Sequence, residues 1–228
     1  MRAAAITRTG PASVIEMMDL PVPTPGPTEV LVRTEAVAVN PIDTYIRAGV
    51  IRMDLPTPWI PGCDIAGTVE AVGSGVTTRK PGDRVWGSNQ SLFGRQGTFA
   101  EFCSIDEKWL YPIPDSISSP QAAAGALTGI TAHLGLFLHA GLRRDAEILF
   151  VNGGTGGVGS TVVQIAKAAG ATVITTAGSA EKAAACRSLG ADHVIQYHTE
   201  DVDARLAEIT ASTGPVTLWW ETLRTPTL

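Results

Sequence analysis

The sequence predicts an α/β protein in two parts, a small and mostly antiparallel β domain followed by a doubly wound parallel sheet. Three observations carry this. Up to about Pro114 the chain runs in short alternating segments broken by Gly and Pro, the pattern of hairpin-connected strands. From Glu147 onward short apolar runs alternate with segments of helical period, as βαβ units require. Between the two, an Ala- and Gly-rich stretch opens on Ser119-Pro120-Gln121 and runs towards Gly141. It reads as a connecting helix with Ser at the N-cap and Pro in the first turn. The expected domains are therefore 1–118 and 119–228.

In the first part, strands are expected at 29–39, 67–72, 83–86 and 98–105, each alternating and bounded by turn residues. In the second, Ile148-Leu149-Phe150-Val151 suits a strand covered on both faces. The helix after it, running to 169, carries Val158, Val162, Val163, Ile165 and Ala166 at helical spacing. Gly170 is its candidate C-cap. A β-branched strand at 172–177, a helix to 189, a strand at 193–196, a helix near 200–211 and a strand at 216–221 complete the pattern. No internal repeat or low-complexity tract interrupts it.

The turn after the first of these parallel strands holds Gly154, Gly156 and Gly159 in Gly-x-Gly-x-x-Gly spacing. Such glycines permit a tight turn, let backbone N–H groups approach a pyrophosphate, and bring helix close to strand. The bland alternative is an ordinary βα turn with no ligand. Strand before and helix after favour the dinucleotide reading. The next strand bears on which dinucleotide. NAD-preferring sites place a carboxylate at its end, on the ribose 2′-OH; here that place holds Ala177 and Gly178. Ser179 and Lys182 stand near the start of the following helix, where a 2′-phosphate would meet free N–H groups. The alternatives stay open that Ser179 is only an N-cap, that Lys182 is only solvated, and that Glu181 is a ribose partner for NAD. The balance favours NADPH.

Composition narrows the class. With 44% hydrophobic and 17% charged residues the chain is ordinary globular material, and a net charge of -5 gives no electrostatic footprint for nucleic acid or an anionic membrane. No apolar run approaching ~20 residues and no signal-peptide core is read, so no membrane partner and a cytoplasmic location are expected. Cys63, Cys103 and Cys186 are few, far apart and odd in number, which argues against a disulfide framework.

The chain resembles the medium-chain dehydrogenase/reductase superfamily, and within it the zinc-independent quinone oxidoreductases of the zeta-crystallin-like branch. The most specific carrier is Gly156-Gly157-Val158-Gly159, four residues, then Gln164-Ile165-Ala166-Lys167. Val39-Asn40-Pro41-Ile42-Asp43-Thr44-Tyr45 and Pro61-Gly62-Cys63-Asp64 support it in the first half. The resemblance implies a GroES-like β domain with a Rossmann domain, and NADPH as cofactor. It implies that Asn40 and Asp43 organise the nicotinamide side of the site, and that Tyr45 touches the nicotinamide ribose or donates to the acceptor. Read without the family, Asn40 and Asp43 equally suit turn caps beside Pro41. By the same resemblance Thr155, Gly156, Gly157 and Val158 meet the pyrophosphate, and Gly178, Ser179 and Lys182 the 2′-phosphate. Tyr197 meets that phosphate or the adenosine ribose, unless it only covers the sheet edge. Thr128 and Thr131 approach the nicotinamide, unless they only bond back along their helix. Trp219 and Trp220 read as strand packing.

No metal is expected. In zinc-dependent relatives a Cys occupies the place of Asn40 and a His-Glu pair that of Cys63-Asp64, whereas a catalytic zinc needs about three thiolate, imidazole or carboxylate ligands. All four histidines lie in the second half. The function implied is hydride transfer from NADPH to a quinone or an activated alkene such as an enone. The alternatives are an enoyl-thioester reductase of the same superfamily, or a non-catalytic NADPH-binding or structural protein. Family members run past Leu228 through further strands, so the chain reads as a fragment whose last strand is an apolar edge, with Pro226 at the first position of a helix to come. For the full-length form the resemblance allows a homodimer.

Overall fold

The structure is a computed structural model and describes residues 1–222. The helix start expected at Pro226 lies outside the described residues. The chain divides into two compact units, Met1–Leu127 and Thr128–Leu228.

In the first unit, β1 (Arg2–Ala5) pairs antiparallel with β2 (Glu16–Asp19). Then come β3 (Glu29–Ala36), α1 (Pro41–Arg47), β4 (Ile65–Val72), β5 (Arg84–Gly87), β6 (Phe102–Asp106) and β7 (Leu110–Pro112). The last five strands form one antiparallel sheet in the order β6-β3-β4-β5-β7. Val30, Val32, Ile65, Val69, Val85, Ile105 and Leu110 pack in its core. Each such buried side chain contributes on the order of 1.5–3 kcal/mol. Two expected strands are shorter than their sequence pattern. β3 stops at Ala36, ahead of the helix that Asn40-Pro41 begins. The strand expected from Thr98 starts only at Phe102, because the amides of Thr98 and Phe99 go to the carbonyl of Pro61 instead of to a ladder partner.

Helix α2 (Ser119–His133) continues without a break into a π-helical turn, Leu134–His139. The division into units falls inside α2, not ahead of it at 118/119, for a packing reason. Ala123 joins Ala66 and Ile113 in the first unit, whereas Ala132 and Leu136 join the core of the second. The continuous run Ser119–His139 also corrects the reading that no segment is long and apolar enough to span a membrane. Its 21 residues meet that criterion by length and composition. Ala123, Ala126, Ala132 and Leu136 of this stretch are buried, and 22% of its apolar window is buried.

The second unit continues with β8 (Ile148–Asn152), α3 (Gly157–Ala168), β9 (Thr172–Ala177), α4 (Ala180–Ser188), β10 (His193–Gln196), α5 (Val202–Thr213) and β11 (Leu218–Glu221). These strands are all parallel, in the order β10-β9-β8-β11. Alternate residues of β8 feed two cores. Leu149 and Val151 pack with Val162, Val163, Ala166 and Ala183, while Phe150 packs with Ile174, Ile195 and Ile209. Both faces are thus covered, which is why β8 reads as a continuous apolar run, Ile148 to Val151. Gly170 follows α3 at φ 85, a left-handed turn that glycine adopts without strain. Trp219 stacks on Phe150 at 4.3 Å between ring centroids, and the ring of Trp220 lies where a Cβ on Gly135 would stand. Both tryptophans are strand packing.

Candidate functional site

The chain moves outward from β8 to β9 to β10, and α5 then returns it to set β11 on the far side of β8. Strand order reverses between β8 and β11. Open parallel sheets bind ligands outside the carboxyl ends of the strands at such a point. The glycine loop leaves the sheet there, directly after Asn152.

Each glycine of the loop answers a different demand. A Cβ on Gly154 would run into the Thr175 hydroxyl, and one on Gly159 into the Gly153 carbonyl. These two are glycine because the protein packs against them. Gly156 is different: a Cβ there would meet nothing closer than the Gly153 oxygen at 3.5 Å, and its φ of -67 suits any residue. Gly157 has only the Thr128 methyl, at 3.4 Å. The protein does not need glycine at 156, so the empty volume over it is what a closely approaching pyrophosphate would fill. Gly156 is also the N-cap of α3 and offers no side chain to the helix's first N–H groups. By contrast α4 and α5 are capped by Ser179, accepting from Lys182 N at 3.2 Å, and by Asp201, accepting from Ala204 N at 2.9 Å.

A side-chain network that the sequence did not reveal fixes the loop. Asn152 Nδ2 donates to Glu221 at 3.0 Å, Thr176 Oγ1 donates to Asn152 Oδ1 at 2.8 Å, and Gly153 N donates to Thr176 Oγ1 at 2.9 Å. Thr175 Oγ1 donates to the Val151 carbonyl at 2.7 Å. Thr155 and Val158 lie in the loop and the first turn of α3, with Thr128 beside Gly157; Thr131 is exposed on α2.

At the end of β9 stand Ala177 and Gly178, with no carboxylate. A Cβ on Gly178 would sit 2.5 Å from the Tyr197 hydroxyl and 3.6 Å from His198 Nε2. The structure thus brings Gly178, Ser179, Lys182 and Tyr197 to one end of the sheet, with His198 as an addition. Ser179 does serve as N-cap, and Lys182 is exposed with no ion pair to the described residues. Glu181 lies in the first turn of α4.

In the first unit, α1 is two turns long and set by its own first residues. Asp43 accepts from Asn40 N at 2.7 Å, while Pro41 occupies the first helical position. The cap reading of Asn40 and Asp43 is therefore realised, and the cluster extends further. Asn40 Nδ2 donates to Asp64 Oδ2 at 2.8 Å, Ser88 Oγ to Asp64 Oδ1 at 2.6 Å, and the Leu127 amide to Asp64 Oδ2 at 3.3 Å. Asp64 is 1% exposed. Burial raises its pKa against the pull of Ser88 and Asn40. Burial likewise raises Asp43, whose Oδ1 closes no hydrogen bond although the Cys63 thiol and backbone beside it favour the charged form. The Cys63 thiol is pushed far up, first by burial and then by the Asp43 charge. Tyr45 is half-buried on α1, two residues beyond Asp43.

The cluster around Asp64 brings together an amide, a thiol and two carboxylates. Asn40 presents a neutral amide already committed to Asp64, where zinc takes thiolate, imidazole or carboxylate ligands. Among the described residues no group of three or more His, Cys, Asp or Glu is arranged to hold a metal.

Comparison with known proteins places this geometry. The family model for the alcohol dehydrogenase GroES-like domain matches residues 26–115, and that for the zinc-binding dehydrogenase matches 157–224. Rat quinone oxidoreductase is 37% identical over 198 residues, 86% of this chain and 59% of its own length. An alcohol dehydrogenase superfamily protein from Novosphingobium aromaticivorans is 36% identical with a TM-score of 0.89, covering 100% of this chain and 68% of that one. The chain belongs to the medium-chain dehydrogenase/reductase superfamily, that of the alcohol dehydrogenases. Escherichia coli quinone oxidoreductase, solved in complex with NADPH, is 34% identical at a TM-score of 0.81, covering 92% of this chain and 63% of that one. The chain spans about 59% of the length of the rat relative. The GroES-like unit and the parallel-sheet unit of the family correspond to the two units described above.

Proposed function

We propose that this chain forms part of an NADPH-dependent oxidoreductase that reduces a quinone or an activated alkene without zinc. The observation that carries it is the loop at the β8–β11 switch point, where Gly156 is open to a pyrophosphate and the end of β9 offers donors in place of a carboxylate. The NADPH held by the Escherichia coli relative supports the choice of cofactor.

When bound, the reduced nicotinamide supplies hydride. Thr155, Gly156, Gly157 and Val158 hold the pyrophosphate through backbone N–H groups, and Thr128 flanks them. Gly178, Ser179, Lys182 and Tyr197 receive the 2′-phosphate, with Lys182 neutralising it. Asn40 and Asp43 fix the start of α1 and so the position of Tyr45, which donates a hydrogen bond to the oxygen where negative charge develops. One such placed donor is worth ~3 kcal/mol. A quinone acceptor needs no protein acid, since its reduced anion takes a proton from water. The Asn40–Asp64 pairing supports a metal-free centre.

The test is loss of reduced-nicotinamide absorbance with a quinone and, separately, with a crotonyl thioester. Quinone turnover that prefers NADPH, and loses that preference in Lys182→Ala, supports the proposal. Turnover of the thioester alone points to an enoyl reductase, and NADPH binding without oxidation to a non-catalytic role.

A further inference from the structure

Gly178 occupies the position where an NAD site carries its ribose-binding carboxylate. Here the volume of any side chain at 178 is taken by the Tyr197 hydroxyl, 2.5 Å from the Cβ position, with His198 Nε2 next at 3.6 Å. The two rings meet edge to face at 4.5 Å between centroids, so each holds the other's orientation. Neither ring belongs to a hydrophobic core: Tyr197 is 46% exposed and His198 is exposed. The imidazole has no hydrogen bond to the described residues, only this ring contact. The site therefore inverts the polarity of an NAD site, setting two N–H or O–H groups where an acceptor would stand. Donors in that place favour an anion with several acceptor oxygens over a bare hydroxyl, which accepts more weakly.

We propose that His198 is a specificity-determining residue that donates a hydrogen bond from Nε2 to the 2′-phosphate of NADPH, held on target by Tyr197. The inference rests on the NADPH reading above and adds a residue to it. Nothing in the local sequence marks His198, since one histidine after a strand is ordinary loop composition.

The experiment is calorimetric titration of the 228-residue chain with NADPH, NADH, 2′,5′-ADP and 5′-AMP, in wild type, His198→Ala and His198→Gln. In wild type the phosphorylated member of each pair binds more tightly. His198→Ala weakens NADPH and 2′,5′-ADP by about 10–150-fold, the range of one hydrogen bond to a charged group, and leaves NADH and 5′-AMP far less affected. His198→Gln, which keeps a donor, recovers part of the loss. An unchanged NADPH-to-NADH ratio in His198→Ala, or an equal loss for both coenzymes, overturns the role of His198 while the NADPH reading stands. Absence of any preference in wild type overturns both.

Discussion

Replacing Gly156 and Gly159 separately by Ala should split folding from binding. At Gly159 the new methyl meets the Gly153 carbonyl and, at 3.4 Å, the Cα of Gly154, all backbone that cannot swing aside. Overpacking of this kind costs ~1–3 kcal/mol. Better helix propensity returns up to ~1 kcal/mol. The net loss of ~1–2 kcal/mol lowers the urea midpoint of this unit by ~0.5–1 M at a typical slope. At Gly156 the methyl meets only the Gly153 oxygen at ordinary contact distance, and the backbone is already in a region alanine accepts. The lost freedom of the unfolded chain and the slightly poorer N-cap offset each other, leaving stability within ~0.5 kcal/mol of wild type. That same methyl stands where the pyrophosphate approaches, so NADPH affinity falls ~10–100-fold, again the cost of overpacking. Urea unfolding and calorimetry on both variants decide it. A Gly156→Ala protein that is folded and binds NADPH as wild type does would refute the assignment of the open volume, and a Gly159→Ala protein of undiminished stability would refute the packing argument.

Other consequences follow from the same contacts. Asp64→Ala strands the Asn40 amide, the Ser88 hydroxyl and the Leu127 N–H in the interior, so urea unfolding should show a loss of ~2–4 kcal/mol; a loss within experimental error would contradict the network. Burial raises the Asp43 pKa above its ordinary 3.8, so the folded state holds this proton more tightly than the unfolded state. Its stabilisation is complete below the unfolded-state pKa and is lost as pH rises through the raised folded-state value. The stability of wild type minus that of Asp43→Asn should therefore fall from acid towards neutral pH, and a constant or rising difference would contradict the buried placement. Gly178→Ala pushes only the exposed end of Tyr197, so unfolding should shift by less than ~0.5 kcal/mol while NADPH binding weakens. In a Tyr197→Ala background the same change should have no further effect on binding, and additive losses would argue against the contact.

The parallel-sheet unit was largely legible in the sequence. The strands at 172–177 and 193–196 fall where the pattern put them, because β-branched Val, Ile and Thr mark them and glycine and cap residues punctuate the chain between. The first unit was harder. The strand Arg2–Ala5 is mostly alanine, and Leu110–Pro112 is three residues ending in proline, so neither shows alternation. Helix α1 is two turns whose start looked like a turn, since the residues that cap a helix are those that make turns. The site divides in the same way. The glycine spacing and the missing carboxylate after β9 are local and could be read directly. The roles of Asp64, Ser88, Asn152 and Thr176 depend on partners 24 residues away or more in the chain, and His198 on a ring contact, none of which leaves a pattern in sequence.

Amide hydrogen exchange with and without NADPH addresses the central claim most directly, because it reports where the coenzyme lies as well as whether it binds. Protection is predicted at 153–159 and at 178–182, with little change on α5. Protection confined to other segments, or none at saturating NADPH, would contradict a dinucleotide seated on the glycine loop.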